Sequence, residues 1–558
     1  MKLTGSQIII ETLIEQGCDT VFGYPGGQVL NIYDELYKNS HRLNHVLTAH
    51  EQGASHAADG YFRATGKVGV CIATSGPGAT NLVTGIATAM LDSVPIVAIT
   101  GNVPCNLIGK DSFQEIDITG VTLPITKHNY FVNDVTQLAD VIREAFRLAK
   151  SGRPGPVLID VPKDIQIATC DFENKPVEAP FENKIADEAS IDSAVELINK
   201  SKRPYIYLGG GAMGACKAED IIAFAEKIDA VIGCTLMGLS AVPTDNPRFL
   251  GMQGMHGHYA SSMAQNNADL IIGIGVRFSD RATGNTAKYA KKANIIHLDV
   301  DFAEINKNVP AQVGIYGDIN DAFVRIAAKC EKKENPDWIA KVNEYVAKEE
   351  SRYYTTPKLT PKNLIDTIND TVSDDTVIAT DVGQHQMWAA QYCNFRAPRK
   401  FVSSGGLGTM GFGLGAAIGA AIGSRCKTVL ITGDGSFGMN LNEMATAVST
   451  GAPVTIVLFN NGVLGMVRQW QTLFFNKHYS NTTLERKTDF CKLAEAFGAT
   501  AFKAENLAEF EVAFKEAYSI DGPTLIDCTI DEDEFVLPML PPGGAIDDMI
   551  VGLEELQK

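Results

Sequence analysis

Short apolar runs recur along the chain, each closed by a glycine-rich turn and followed by a stretch of helical periodicity. Val68–Ala73 leads into Thr74-Ser75-Gly76-Pro77-Gly78, Tyr205–Leu208 into Gly209-Gly210-Gly211, and Thr428–Thr432 into Gly433-Asp434-Gly435. Runs this short, bounded by such turns, read as buried strands. Strands alternating with helices imply parallel sheets covered on both faces. The expected fold is α/β: three doubly wound domains with mainly parallel sheets.

Two stretches break the rhythm. Cys170 to about Ser190 is rich in Pro and Glu, and about Glu331 to Pro361 is polar and charged, so both read as linkers. They leave domains at residues 1–170, 190–335 and 360–535, with 536–558 as a C-terminal tail. At an offset of 358 residues the first domain matches the third: Ala87-Thr88-Ala89 falls on Ala445-Thr446-Ala447, Pro95 on Pro453 and Asn102 on Asn460. The two are expected to be related, with ligands at the carboxyl ends of their strands.

Composition narrows the class. A chain of 558 residues is long enough for three or four domains at roughly 150 residues each. Its 45% apolar and 20% charged residues are ordinary globular usage. The net charge of −18, without dense Lys/Arg clusters, argues against a nucleic-acid partner. Eleven scattered cysteines with no C-x-x-C pair fit a reducing compartment. Met1 to Gly17 places Glu11 and Glu15 among its apolar residues and so reads as an amphipathic helix, not a signal peptide. No run approaches the 18 apolar residues of a membrane span. A cytoplasmic protein with no membrane partner is expected. His41 and His45 share a helical spacing but lack a third ligand, so zinc is not expected there.

The chemistry concentrates in a few segments. Gly433-Asp434-Gly435-Ser436 follows one apolar run, and Asn460-Asn461 ends another, with 24 residues between Gly435 and Asn460. Two adjacent strand ends can bring a carboxylate and an amide oxygen onto one hard cation, while loop N–H groups and Ser436 meet a phosphate. Turn punctuation would explain either piece alone. Glu51, in Thr48-Ala49-His50-Glu51-Gln52, is a candidate general acid/base, since a carboxylate at a largely apolar site has a raised proton affinity. A surface acid opening a helix is the plainer alternative. Nominal G-x-G-x-x-G patterns begin at Gly209 and Gly406 and are weak dinucleotide signals alone.

G-D-G, 24 residues and N-N together resemble the thiamine diphosphate signature of decarboxylases and carboligases. That resemblance implies Mg2+ held by Asp434, Asn461 and the Val463 carbonyl, Glu51 against the pyrimidine ring, the Gly408 carbonyl accepting from its amino group, and Met410 wedged between the cofactor's rings. Six further stretches make the whole chain similar to the FAD-containing biosynthetic acetohydroxyacid synthase family. They are Tyr24-Pro25-Gly26-Gly27, Gly109–Glu115, Gly275-Val276-Arg277-Phe278-Ser279-Asp280-Arg281, Gly383–Trp388, Gly465–Trp470 and Pro541–Ala545.

The resemblance implies further roles. Gln384, His385 and Ser436 are expected on the diphosphate beside Gly433 and Gly435, with Met466 also at the cofactor; Gly26, Phe113 and Gln114 are expected near the reacting carbon. Arg281 would take the second ketoacid's carboxylate and Trp470 would wall its alkyl group. FAD, bound without net redox turnover, falls to Arg153, Gly210, Thr235-Leu236-Met237-Gly238, Met255-His256, Gly275-Val276-Arg277, Asp299 and Asp318. The implied reaction decarboxylates pyruvate and passes the two-carbon unit to pyruvate or 2-oxobutyrate. A homodimer or tetramer with sites between chains, and a regulatory small subunit, are the implied partners. Flavin-using pyruvate oxidase or another carboligase on the same scaffold is the near alternative; a nicotinamide oxidoreductase is the distant one. Gln28, Gln253, Ser279, Gly438 and Asn442 depart from the family's usual residues, which bears on substrate preference.

Overall fold

The computed structural model describes residues 1–351 and 358–552. Three six-stranded sheets carry the architecture, and every strand pair within them is parallel. The first runs Asn44–Leu47, Thr20–Gly23, Gly69–Ala73, Ile96–Asn102, Val157–Pro162, His128–Phe131. The third runs Phe401–Val402, Val377–Thr380, Thr428–Gly433, Val454–Asn460, Thr524–Thr529, Thr500–Ala504. Counted within its own unit, each has its strands in the order second, first, third, fourth, sixth, fifth. The internal match read from the sequence is therefore a match of topology as well.

The middle sheet runs Phe249–Met252, Val231–Cys234, Pro204–Leu208, Leu270–Ile274, Asn294–Asp299, Val313–Tyr316. Its order of third, second, first, fourth, fifth, sixth is that of dinucleotide-binding sheets, and the direction of winding reverses between Pro204–Leu208 and Leu270–Ile274. Ligands bind at such a switch point, outside the carboxyl ends of the strands.

Small residues hold the first and third units together. Helix Glu51–Thr65 packs on helix Phe412–Ser424, whose sequence Phe-Gly-Leu-Gly-Ala-Ala-Ile-Gly-Ala-Ala-Ile-Gly-Ser leaves the contact face almost bare. A Cβ at Gly60 would stand 2.0 Å from the Ala416 carbonyl oxygen, and one at Gly419 would stand 1.9 Å from that of Ala57. Only glycine permits this backbone-to-backbone approach. It fixes Glu51, the first residue of its helix, against the third unit.

Two sequence expectations change. Residues 1–17 are not one helix: Lys2–Thr4 forms an antiparallel strand with Thr169–Asp171, and the helix is Gly5–Glu15, started by a Thr4/Gln7 capping box. The polar stretch after Glu331 is not simply linker, because Pro336–Glu350 is a helix burying Trp338, Val342, Tyr345 and Glu349 on one face. Spacings of four, three and four residues made that face; the many intervening charges hid it. Residues 352–357 of the stretch, and 553–558 of the tail, lie outside the described residues. No helix among the described residues is long and apolar enough to cross a membrane.

The helix is anchored at its end by Glu349, which accepts from the Ala260 N–H at 2.8 Å and pairs with His258 Nδ1 at 2.7 Å. Burial opposes the charged imidazolium, but the Glu349 carboxylate outweighs it and raises the His258 pKa. A raised folded-state value means the pair's stabilisation is complete below the unfolded pKa and is lost as pH rises through the folded one. Glu349→Gln is expected to cost about 1.5–3 kcal/mol near pH 6 and less at pH 9, read by denaturant unfolding at both pH values.

Candidate active site

One cavity of about 1660 Å³ lies between the middle and third units, with Phe62, Arg63, Asp92, Ser93 and Arg153 of the first unit also in its wall. Single-ligand pockets span roughly 300–1,000 Å³, so this one has room for two cofactor-sized groups. At the switch point Gly209, Gly210, Gly211, Gly275, Val276 and Arg277 line it. Gly275 has φ +57°, and a Cβ at Gly209 would stand 1.9 Å from the Gly275 carbonyl oxygen, so the two strand-end turns interlock through bare backbone. Thr235, Leu236, Met237, Met255 and His256 continue the wall, and Asp299 and Asp318 stand at its far end. Gly238, expected with them, is instead packed beneath, against the Leu208 carbonyl.

The charged members have partners of their own. Arg153 Nη1 donates to Glu304 Oε1 at 2.7 Å and its Nε to Ser93 Oγ at 2.8 Å, bridging the first and middle units. Asp318 caps helix Ile319–Lys329 through the Asp321 N–H and accepts from Asn183 Nδ2; these hold its carboxyl below the usual range. Asp299 accepts from the Asp301 N–H, and it is Asp301, not Asp299, that caps the next turn. Burial pushes the His256 imidazole down to about 4, so it is neutral at pH 7, and its Nδ1 is buried without a partner.

At the third unit's end of the cavity stand Gly408, Met410, Met466 and Trp470. The Trp470 ring lies 6.0 Å from the Arg281 guanidinium carbon and edge-on to Phe474 at 5.5 Å. Among the described residues the acid nearest Arg281 is Asp280, at 3.9 Å, and its Nη1 reaches Met255 Sδ at 3.6 Å. A guanidinium beside an indole and free of a close carboxylate is poised for an anionic, partly apolar ligand.

Behind this wall the strands Thr428–Gly433 and Val454–Asn460 run side by side, with Gly433 opposite Phe459. Their ends bring together Asp434 and the loop Asn461–Val463. Burial pushes the Asp434 carboxyl up to about 6, against the pull of the Gly435 and Gly462 N–H groups. Asn461 Oδ1 accepts from the Val463 N–H at 3.2 Å. His385, pressed down to about 3 by burial, lies against Gly383 and Gly433 with Nε2 unpartnered. Ser436 Oγ donates to the Val382 carbonyl at 2.7 Å. Gln384 sits beside Asn461 around Gly465, with its Oε1 buried and unpartnered. A buried carboxylate short of cationic partners beside orphaned polar atoms fits a divalent cation and a diphosphate, which supply the missing charge and partners. No cluster of three or more His, Cys, Asp or Glu suited to a metal occurs among the described residues, which leaves this mixed set as the candidate.

The remaining candidates form a separate group. Glu51 Oε2 accepts from Asn81 Nδ2 at 3.0 Å, and its Oε1 faces Gly78. Gly26 and Gly78 both pack on Thr74, and Gly76 on Gln114, whose φ is +62°. Phe113 is 83% exposed. None of Gly26, Glu51, Phe113 and Gln114 lines the cavity of the same chain, and neither do Asp434, Asn461, Gln384 and His385, which stand behind its wall.

Sequence reasoning missed two buried acids that hold this architecture. Asp92 accepts from the Gly405 and Gly406 N–H groups at 3.0 and 2.6 Å and pairs with Arg63, which is also held by Asp59. It thus ties the loop ahead of Gly408 to the first unit. Asp381, pushed up to about 6 by burial, accepts from the Val382 and Gly411 N–H groups and fixes the turn after Met410. Asp381 closes the strand Val377–Thr380, the same strand-end signal that singled out Asp434 and Asp299. Asp92, at a helix end, carried no such signal.

Comparison with known proteins agrees with this arrangement. Residues 3–121, 191–326 and 381–528 match the N-terminal TPP-binding, central and C-terminal TPP-binding domains of the thiamine pyrophosphate enzymes. Fold and matched segments together define a thiamine pyrophosphate enzyme. The acetolactate synthase large subunit of Corynebacterium glutamicum is 45% identical over 98% of this chain and 90% of its own length. The isozyme 2 large subunit of Escherichia coli K12 is 44% identical over 98% and 99%, and the chloroplastic acetolactate synthase 1 of Nicotiana tabacum is 44% identical over 98% and 84%. The chain belongs to the acetolactate synthase large-subunit family.

Proposed function

We propose that the protein is a thiamine diphosphate-dependent acetolactate synthase. It decarboxylates pyruvate and transfers the two-carbon unit to a second pyruvate, giving 2-acetolactate, or to 2-oxobutyrate, giving 2-aceto-2-hydroxybutyrate; both feed branched-chain amino acid biosynthesis. The observation that carries this reading is the large cavity in which a dinucleotide-type switch point meets Gly408, Met410, Met466 and the Arg281–Trp470 pair, with Gly435, next to Asp434, packed behind Met410.

In this reading Asp434, Asn461 and the Val463 carbonyl hold Mg2+, while His385, Ser436, Gly433 and Gly435 surround the diphosphate. Gln384, expected there too, stands instead on the cation's side beside Asn461, because both its amide hydrogens are spent within the protein. Gly408, Met410 and Met466 shape the ring pocket. Bound thiamine diphosphate supplies the electron sink that decarboxylation requires. Glu51 holds and moves a proton through its carboxyl oxygens, and Asn81 keeps that carboxyl aimed. Arg281 orients the acceptor by its carboxylate, and Trp470 excludes water from its alkyl group. FAD fits the middle unit's residues, because the switch-point turns offer bare backbone to a diphosphate, and Asp299 and Asp318 lie where dinucleotide sheets contact ribose.

The Glu51 group is supplied to this cavity by a second copy of the chain. Support comes from the uncovered apolar side chains of the first unit, Leu30, Leu47, Phe113 and Leu123. The relatives named as large subunits make a small regulatory subunit the expected further partner, and a cytoplasmic location suits the biosynthetic role.

Product analysis with pyruvate alone tests the reaction: acetolactate and carbon dioxide are expected. Acetate or acetyl phosphate with hydrogen peroxide would make the protein an oxidase instead. Acceptor choice tests the wall. Trp470→Leu is expected to leave acetolactate formation largely intact while reducing the preference for 2-oxobutyrate over pyruvate. One methylene against a fitted apolar wall is worth about 1–3 kcal/mol, or about 10- to 200-fold. Arg281→Ala is expected to weaken both acceptors alike. The product ratio in a competition between the two ketoacids reads this directly, and an unaltered ratio in Trp470→Leu would return that residue to simple packing.

A further inference from the structure

Gln469 is fully buried on helix Gly465–Phe474, one position before Trp470, and all four hydrogen-bonding positions of its carboxamide are used. Its Oε1 accepts from Gln384 Nε2 at 3.0 Å and from the Val536 N–H at 2.9 Å. Its Nε2 donates to the Val536 carbonyl at 3.1 Å and to Met539 Sδ at 3.3 Å. The side chain thus pairs with the Val536 backbone as a neighbouring strand would. A flipped amide would set its hydrogens against two donors, so the orientation is determined by the network.

The same network fixes Gln384. Both of its amide hydrogens are spent, one on Gln469 Oε1 and one on the Glu534 carbonyl at 2.9 Å. Its Oε1 is therefore the atom left over, and it faces Asn461 across Gly465, buried and unpartnered. An acceptor cannot bind a diphosphate oxygen directly; it suits water or another donor on the cation's side of the cradle.

We propose that Gln469 is a positioning residue: it ties the Glu534–Met539 segment to Gln384, so that the order of that segment and the retention of thiamine diphosphate with its cation are one coupled property. The proposal rests on placing Gln384 in the cradle. Coupling of this kind is reciprocal, since whatever orders the segment strengthens the cradle and the reverse. Loss of an outer partner that aims a ligand-side residue typically costs about 10- to 100-fold in affinity.

The test measures thiamine diphosphate affinity at saturating Mg2+ by calorimetry, for the wild type, Gln469→Met, Gln384→Met and the double variant, alongside hydrogen exchange of peptides spanning 534–539. Gln469→Met is expected to lose about tenfold in affinity and to speed exchange in that segment, and the double variant is expected to bind no more weakly than Gln384→Met alone. Gln469→Glu keeps the acceptor toward Gln384 and the Val536 N–H and, once burial protonates it, a hydroxyl that can donate to the Val536 carbonyl, so it is expected to recover affinity at low pH and lose it as the carboxyl ionises. Additive losses in the double variant, or an unaltered affinity in Gln469→Met, overturn the proposal. An unaltered affinity in Gln384→Met overturns it differently, by removing Gln384 from the cradle. If Gln469→Met does not fold, the wild type decides: exchange in 534–539 must slow when thiamine diphosphate and Mg2+ are added, and unchanged exchange defeats the coupling.

Discussion

Asp434→Ala is expected to abolish magnesium-dependent binding of thiamine diphosphate while leaving flavin absorbance in place. The carboxyl is 5% exposed, and burial raises it to about 6 although the Gly435 and Gly462 N–H groups favour its charge. In the folded protein the ionised form is thus left with more charge than its neighbours balance, and a divalent cation is what balances it. Removing an anionic oxygen from the cation is expected to cost more than about 100-fold, the upper end of what losing mere outer partners costs. The residues proposed for FAD, Arg153 apart, belong to the middle unit, and none of them is hydrogen-bonded to Asp434, so their ligand is expected to stay. Folding is expected to survive as well. A group whose folded pKa lies above its unfolded value destabilises the fold as pH rises between the two, so removing it at pH 7 takes away a cost. Calorimetric titration with thiamine diphosphate, with and without Mg2+, and a thermal melt separate these effects. Cofactor affinity equal to that of the wild type would remove the cation from Asp434.

Much of the fold and of the site could be read from the sequence because both are written locally. A short apolar run, a glycine turn and a helix are contiguous, and from them came the three parallel sheets and the strand-end positions of Asp434, Asn461, Asp299 and the Gly209 and Gly275 turns. What escaped was written between distant segments. Asp92 matters through the Gly405 and Gly406 N–H groups, more than 300 positions away, and Gln469 through the backbone of Val536. Neither residue type at its own position signals anything. The helix Pro336–Glu350 escaped for another reason: its apolar face is narrow, and its charged residues dominate composition while contributing little to packing. Glycine carried two meanings that sequence alone does not separate. At Gly60 and Gly419 it permits two helices to touch, whereas at Gly209 and Gly275 it lets two cavity-lining turns interlock.

Glu51→Ala is expected to reduce turnover by about 10²- to 10⁴-fold, the worth of a positioned acid/base, with thiamine diphosphate still bound through the third unit. The larger question is whose cavity Glu51 serves. Its carboxyl sits with Asn81, Gly78 and Thr74 on the first unit, and among the described residues no hydrogen bond joins it to Asp434, Asn461 or Arg281. If each site is built from the Glu51 of one chain and the Asp434 of its partner, mixing Glu51→Ala and Asp434→Ala chains creates heterodimers with one wholly wild-type site and one doubly damaged site. Random reassociation makes about half the dimers mixed, so about a quarter of the wild-type activity should return from two nearly inactive preparations. If instead each site lay within one chain, both sites of every mixed dimer would carry a lesion and nothing would return. Separately tagged chains, purified as the doubly tagged dimer and assayed for acetolactate, give the answer: inactivity in that fraction would place Glu51 and Asp434 in one and the same chain's site.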